Sequence, residues 1–294
     1  MAPLPLTDRL APLAAGGPTF ARRLRNGAVL AACTVAAMLA VLPLTLIVWQ
    51  LVERGLPGLR PSFFLNLPAP VGEPGGGMAN AIVGTMILLA LGTTLALPVG
   101  VAAGLYLSEY RHDRFADMVR YMADILSGVP SIVVGVAAYG LIVVPMGRFS
   151  ALAGGVALGL LMLPTIVRAT EEIVRMVPGS YREAALALGA PRWIMIMRVV
   201  LPAAAPGIAT AAMLALARAA GETAPLLFTA LGNRFGSAAL DRPIAALPLM
   251  IYDYARAPYA DWNRQAWTGA LVLLMLVTVV SALVRLATRR IPRP

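Results

Sequence analysis

Glu183-Ala-Ala-Leu-Ala-Leu-Gly189-Ala-Pro-Arg-Trp-Ile-Met-Ile-Met-Arg-Val-Val-Leu201-Pro202 lies in a charged connector between long apolar runs, and its punctuation decides how the chain is built. Just before it, Ser180-Tyr-Arg-Glu183 predicts a capping box, with Ser180 as N-cap and Glu183 reaching back from the third helical position. Ala184, Ala185 and Ala187 supply helix propensity with little bulk, so a partner can pack close. Gly189 suits a left-handed helix stop, and Pro191 prevents continuation. Leu201-Pro202 then opens the next apolar helix, because proline is tolerated in a first helical turn. The connector reads as a compact docking helix presented to a soluble partner.

The surroundings of that connector belong to a membrane. The chain has 294 residues, of which 59% are hydrophobic and 13% charged, where a soluble domain carries roughly 25% charged residues. Charge-free stretches run over 26–52, 74–108, 125–147, 149–167, 199–217 and 265–284, and about 20 apolar residues suffice to cross the hydrocarbon. The fold class is therefore an all-α polytopic membrane protein with six transmembrane helices, each helical because backbone amides in lipid must pair internally. The fifth span extends to about Leu231 if it continues past its own charges. With the N-terminus inside, the inner segments hold 16 arginines and the outer ones 7, which places both termini in the cytoplasm. Leu30-Ala31-Ala32-Cys33 has the look of a lipoprotein box, but its apolar lead-in starts only at Gly27 and the run continues to Val52, so an uncleaved first helix is expected.

All 24 basic residues are arginine. The net charge of +10 comes from arginines that flank apolar runs, a topology signal rather than a nucleic-acid patch. Without lysine the chain has no phosphate-cradling P-loop and no Schiff-base chemistry. One Cys and one His (Cys33, His112) exclude a disulfide framework, a nucleophile pair and a zinc cluster. The chain is read as a non-catalytic subunit.

Gly100-Val-Ala-Ala-Gly104 and Gly155-Val-Ala-Leu-Gly159 match the small-xxx-small pattern of closely approaching helices. Pro98, Pro130 and Pro164 are expected to kink their spans. The outer loop 53–77 reads as a Pro/Gly hinge, and Tyr252, Tyr254, Tyr259 and Trp262 in the outer loop 232–265 read as interfacial anchors or contacts for an external partner.

A charged pair interrupts the fifth span. Arg218 and Glu222 are four residues apart and share a helix face, with Arg218 about 24 Å along the helix from Pro202. A charge at that depth costs at least about 2.5–3.5 kcal/mol, so it should face a cavity or a partner. Two plainer readings are that the charges neutralise each other, or that the span ends near Ala217 and Arg218 snorkels outward. The functional reading is that the guanidinium grips an oxyanion through its fork of donors, while Glu222 holds it in place when the pathway is empty.

Glu-Ala-Ala, three residues, Gly, nine residues, an aliphatic position, one residue and Leu-Pro resembles the EAA loop of ABC importer permeases, departing from it in Val199, where the pattern usually has Ile. The run Ala215-Leu-Ala-Arg218-Ala-Ala-Gly-Glu222-Thr-Ala-Pro-Leu-Leu is similar to that of the phosphate-specific members of this family. So are Gly77-Met-Ala-Asn80-Ala-Ile-Val-Gly84-Thr85, Tyr106-Leu-Ser-Glu109-Tyr110, Ser127-Gly-Val-Pro130-Ser131, Ile251-Tyr-Asp-Tyr254-Ala and Gln265-Ala-Trp-Thr-Gly269-Ala-Leu. The resemblance covers roughly residues 75–290. It implies a type I importer permease fold, with a cytoplasmic tail over 1–26, a first transmembrane helix over 27–52, and a permease domain over 75–290 that contains the coupling loop 168–202. It further implies a heterodimer with a sister permease, two ATPase subunits that carry ATP and Mg, and an external phosphate-binding protein, with no cofactor in this chain. ATPase coupling then falls to Ser180, Glu183, Ala184, Ala185, Gly189, Leu201 and Pro202. The substrate pathway falls to Arg218, Glu222, Thr223, Ser127, Ser131 and Asn80, although Ser127 and Ser131 can equally back-bond to helix carbonyls. The rivals are a permease for another oxyanion such as sulfate or molybdate, one for a neutral solute, a stand-alone proton-coupled carrier with Glu222 as relay, and a membrane enzyme.

Overall fold

The computed structural model describes residues 20–71, 73, 75–111 and 113–289; Arg9, His112, Arg290 and Arg293 lie outside the described residues. The chain divides into two compact units, residues 1–52 and 53–294. In the first, the described part is one helix, the bulk of α1 (Phe20–Gly55), and it runs unbroken through Cys33 and Pro43. Its side chains are exposed all round, as befits an apolar helix whose solvent is lipid.

The second unit is all-helical. α2 (Pro61–Leu65) and α3 (Ala79–Glu109) precede α4 (Arg114–Gly128), then α5 (Ser131–Ala138) and α6 (Val144–Met146) joined by a π turn, and α7 (Ala151–Arg175). α8 (Gly179–Ala187) precedes α9 (Arg192–Met195) and α10 (Leu201–Ala220), which are joined by a second π turn, then α11 (Ala224–Thr229), α12 (Leu247–Arg256) and α13 (Ala260–Arg289). Among the described residues, five helices are long and apolar enough to cross a membrane, or six when the bent pair α4 with α5–α6 counts as one span.

α3 and α7 form the spine. A Cβ on Gly155 would stand 2.5 Å from Leu91 Cβ, one on Gly159 2.6 Å from Leu95 Cδ2, and one on Gly104 2.5 Å from Thr170 Cβ. The small-xxx-small glycines of each helix therefore admit side chains of the other, Gly100 and Gly104 taking Ile166 and Thr170 and Gly155 and Gly159 taking Leu91 and Leu95, and dispersion between closely approached helices replaces the hydrophobic effect that lipid does not supply. Pro98 and Pro164 leave α3 and α7 each a single helix.

Several expectations need correction. The third span is not one helix: α4 and α5–α6 meet at 106°. Val129 adopts an extended conformation (φ −72°, ψ 129°), the state that a following proline imposes by its clash with the preceding residue. The fifth span starts at Arg192 rather than Leu201. Pro202 has no N–H and its ring crowds the carbonyl four residues back, and the π turn Ile196–Val200 sits directly before it. That span also stops at Ala220 instead of continuing to Leu231, because Gly221-Glu222-Thr223 breaks the helix and Pro225 sits in the first turn of α11, where a missing N–H costs nothing. In the loop 232–265, Tyr254 and Trp262 are neither anchors nor partner contacts. They are buried and stacked with centroids 4.4 Å apart, and burial pushes the Tyr254 phenol pKa up. Tyr252 and Tyr259 remain exposed.

Candidate functional site

Two constellations are candidate sites: the break after α10 and the exposed helix α8. No charged residue falls within 79–108, 131–147, 149–167, 201–217 or 265–284, so Arg218 and Glu222 are isolated charges among apolar segments. Ala219 and Ala220 pack with Leu158 of α7 and Leu88 of α3, which sets the Arg218 level within the membrane-crossing spine. The Arg218 side chain is 69% exposed and that of Glu222 19%, with Nε 3.9 Å from Oε1. Arg218 lies in the last turn of α10 while Glu222 stands beyond its end, so the two do not share a continuous helix face. The pair is loose for a physical reason: the chain leaves the helical path between them. The guanidinium is therefore held near one carboxylate yet keeps most of its donors free.

Thr223 lies in the same break and lines a groove with Ala217, Gly221 and Tyr252. α11 packs against α5, where Pro225 lies so close to Gly135 that a Cβ there would stand 2.6 Å from Pro225 Cα. Ser131 heads α5 at the 106° bend. Ser127 donates to the Ala123 carbonyl at 2.9 Å, the back-bonded geometry that satisfies a hydroxyl within its own helix. Asn80 stands apart from the break. It is buried, and its Nδ2 donates to the Asn233 carbonyl at 2.6 Å.

α8 begins at Gly179 with Pro178 as N-cap, and no side chain caps it. The predicted capping box is therefore not formed. Pro178 already supplies the extended N-cap conformation (φ −56°, ψ 139°), so Ser180 is inside the first turn and Glu183 is left outward. The stop at Gly189 agrees with its predicted form: φ is +80°, the Gly189 N–H donates to the Leu186 carbonyl and the Ala190 N–H to the Ala185 carbonyl. These two bonds make a Schellman motif, which satisfies orphan helix carbonyls. Only Ala185 of α8 is buried; Ser180, Glu183 and Ala184 are exposed or partly so, beside exposed Met176, Leu188 and Trp193. Leu201 and Pro202 open α10 behind this surface.

Sequence reading missed a third feature. Glu171 of α7 is 1% exposed, and it accepts from Arg120 Nε at 2.7 Å, from Arg168 at 3.1 Å and from Arg175. Arg168 also bonds Asp124 of α4, and Arg120 donates to the Leu107 carbonyl of α3 at 2.8 Å. The cluster binds α3, α4 and α7 into one block below the bend. Its sequence signal was the acidic pair Glu171-Glu172, with Arg168 and Arg175 placed at i−3 and i+4 from Glu171. Outside the spans, the Tyr106 hydroxyl donates to Asp113 and holds that carboxyl below its usual pKa range.

An exposed connector helix, a charged break at the end of a span and an all-helical frame fit a permease that works with other subunits, and comparison with known families agrees. Residues 96–293 match the family described as binding-protein-dependent transport system inner membrane component. The chain belongs to that family, as a multi-pass inner-membrane component. Within it, the chain is 42% identical to the phosphate transport system permease protein PstA of Yersinia pestis, over 90% of each chain. It is 44% identical to PstA of Xylella fastidiosa strain Temecula1, over 88% of this chain and 91% of that one. In fold it is similar to a chain of the MetNI methionine ABC transporter in an inward-facing conformation, with TM-score 0.55, 23% identity, and coverage of 74% of this chain and 95% of that chain.

Proposed function

We propose that this chain is the permease subunit through which an ATP-driven importer moves inorganic phosphate. Its partners are the sister permease PstC, two copies of the ATPase PstB and the external phosphate-binding protein PstS. ATP and Mg bind the ATPase, consistent with a chain that has no lysine for a P-loop. Both termini lie in the cytoplasm, residues 27–52 form the first membrane helix, and 75–290 form the permease domain with its coupling loop at 168–202. Ser180, Glu183, Ala184, Ala185 and Gly189 present α8 to the ATPase, and Leu201-Pro202 carries its displacement into the fifth span.

The observation that carries the substrate reading is Arg218, a mostly exposed guanidinium at a helix break, held by one carboxylate at 3.9 Å. Phosphate delivered from outside takes up the donors that Glu222 leaves free, and Glu222 holds the side chain in place between cycles. Thr223 offers a hydroxyl beside it, Ser131 and Ser127 flank the bend, and Asn80 fixes the loop above. ATP-driven closure of the ATPases rocks the spans between outward- and inward-facing states. Hydrogen bonds to a charged group contribute about 1.5–3 kcal/mol, so Arg218→Gln should lower phosphate uptake by about tenfold or more. The test is radiolabelled phosphate uptake in cells lacking only this chain, rescued by wild type or by Arg218→Gln at equal complex levels. Wild-type uptake by the variant refutes the site.

A further inference from the structure

We propose that Arg182 is the positioning residue that ties the docking helix to α3, and that α3 is the rod that carries its movement to the far side of the substrate break. The proposal rests on the permease reading above and adds a route within this chain. Arg182 reaches from α8 to Glu109, the last residue of α3, at 3.1 Å, and both side chains are 18% exposed. The same guanidinium donates to the Val174 carbonyl of α7 at 3.0 Å. Glu109 Oε1 is sealed from solvent and, among the described residues, receives no hydrogen bond and pairs with the Arg182 charge. Among the described residues, the other polar side chains of α8, Ser180, Tyr181 and Glu183, make no hydrogen bond or ion pair. Besides its covalent continuation into α7 and α9, α8 reaches the body of the unit through one polar tie and through Ala185, which lies in a core with Val177, Met195 and Val200.

α3 is suited to transmit movement of α8. It is one helix of 31 residues, about 46 Å long, and its glycines lock it to α7. Its opposite end is fastened to the segment that follows the break. Asn80 donates to the Asn233 carbonyl at 2.6 Å, and the Leu247 N–H donates to Thr85 Oγ1 at 2.8 Å. Gly84 lies so close to Ala245 that a Cβ would stand 2.0 Å from its carbonyl oxygen. The segment 231–247 is thus bonded at both ends to the first two turns of α3, and it is joined by the Leu231–Ile244 bridge directly to the end of α11. Pushing or releasing Glu109 moves α3 together with the α7 it is locked to, and with them the wall beside Arg218.

The experiment uses the complex purified with its ATPase and sister permease, carrying Cys33→Ala and a reporter at Ala238→Cys, an exposed position of the segment. Maleimide labelling of residue 238 is timed with and without ATP and vanadate. Nucleotide should change the parent rate by about fivefold or more. Arg182→Glu and Glu109→Arg should each abolish that change while ATPase binding and hydrolysis persist, and the double exchange should restore it. If a reversal fails to assemble, Arg182→Lys should keep the change and Arg182→Gln lose it. A merely structural role would lower assembly and hydrolysis together with the labelling change. A parent without a nucleotide effect, single variants that retain it, or an exchange no better than its singles overturns the proposal. Phosphate uptake by the parent is scored separately, and its absence would refute the substrate reading while leaving the labelling result intact.

Discussion

Replacing Glu171 by Gln removes the charge at the centre of the arginine cluster while keeping its shape and one acceptor oxygen. Its neighbours contribute unequally. The Arg120 side chain is 16% exposed, that of Arg168 32% and that of Arg175 40%. Arg175 can turn to water, and Arg168 keeps Asp124. Arg120 cannot leave, because its other nitrogens are tied to the Leu107 and Arg111 carbonyls and to Asp117. The gross attraction of one such pair is about 4 kcal/mol at an effective dielectric of about 20. Breaking a buried pair from one side costs about 3–5 kcal/mol net, and the partial escape of two partners points to the lower end. For a unit of this size each kcal/mol moves the melting midpoint by about 2–4 °C, so Glu171→Gln should melt about 6–12 °C below wild type. Asp117→Asn is the control: its side chain is 68% exposed, and the expected change is within about 0.5 kcal/mol, or under about 2 °C. The measurement is thermal unfolding of the detergent-solubilised complex at neutral pH. A Glu171→Gln midpoint within about 2 °C of wild type, or an equal loss in Asp117→Asn, would refute the claim that this carboxylate organises the block.

Two glycines that look alike in sequence should behave differently. Gly155→Ala forces a Cβ to 2.5 Å from Leu91 Cβ, an atom too near its own backbone to swing aside, and overpacking of this kind costs about 1–3 kcal/mol; the same melt should fall, with the α3–α7 contact loosened. Gly189→Ala meets open space, so its penalty is the left-handed conformation alone, about 1–2 kcal/mol. That penalty acts at the end of α8, where it should weaken ATPase co-purification, and it should lower the melt by no more than about 2–8 °C.

Much of this architecture was legible because it obeys local rules. The apolar runs, the Gly189 stop and the small-xxx-small glycines of α3 and α7 each follow from residue chemistry within a few positions. The failures share a cause: the deciding partner lay far along the chain or at a proline whose effect has alternatives. Ser180-x-x-Glu183 has a good capping spacing, yet Pro178 started the helix first and Arg182 drew it toward Glu109. Leu201-Pro202 reads as a helix start, but a π turn let the helix pass through. Tyr254 and Trp262 have the composition of membrane-interface anchors, and only their mutual stacking reveals a core. Glu171 gave little warning because two of the groups tied to it, Arg120 and, through Arg168, Asp124, come from another helix. At the site itself, residue type identified Arg218 and Glu222, while the break that loosens them needed the backbone.

The distribution of broken and unbroken helices itself argues for movement. α3 and α7 are continuous despite Pro98 and Pro164, and they are locked by close glycine contacts that resist sliding apart. The interruptions fall at Gly128-Val129-Pro130 and Gly221-Glu222-Thr223, on the two elements that pack together through Gly135 and Pro225. Irregular backbone within a membrane is tolerated only where it is buried in protein or lines a water-filled cavity. Two breaks on adjoining elements, with the isolated charges at one and hydroxyls at the other, therefore mark the boundary between what moves and what does not. The Glu171 cluster ties α4 to the rigid pair immediately before its break, so a displacement of that block has one soft joint on this side at which to be taken up, the bend before Ser131. The corresponding joint on the other side is the break that carries Arg218 and Glu222.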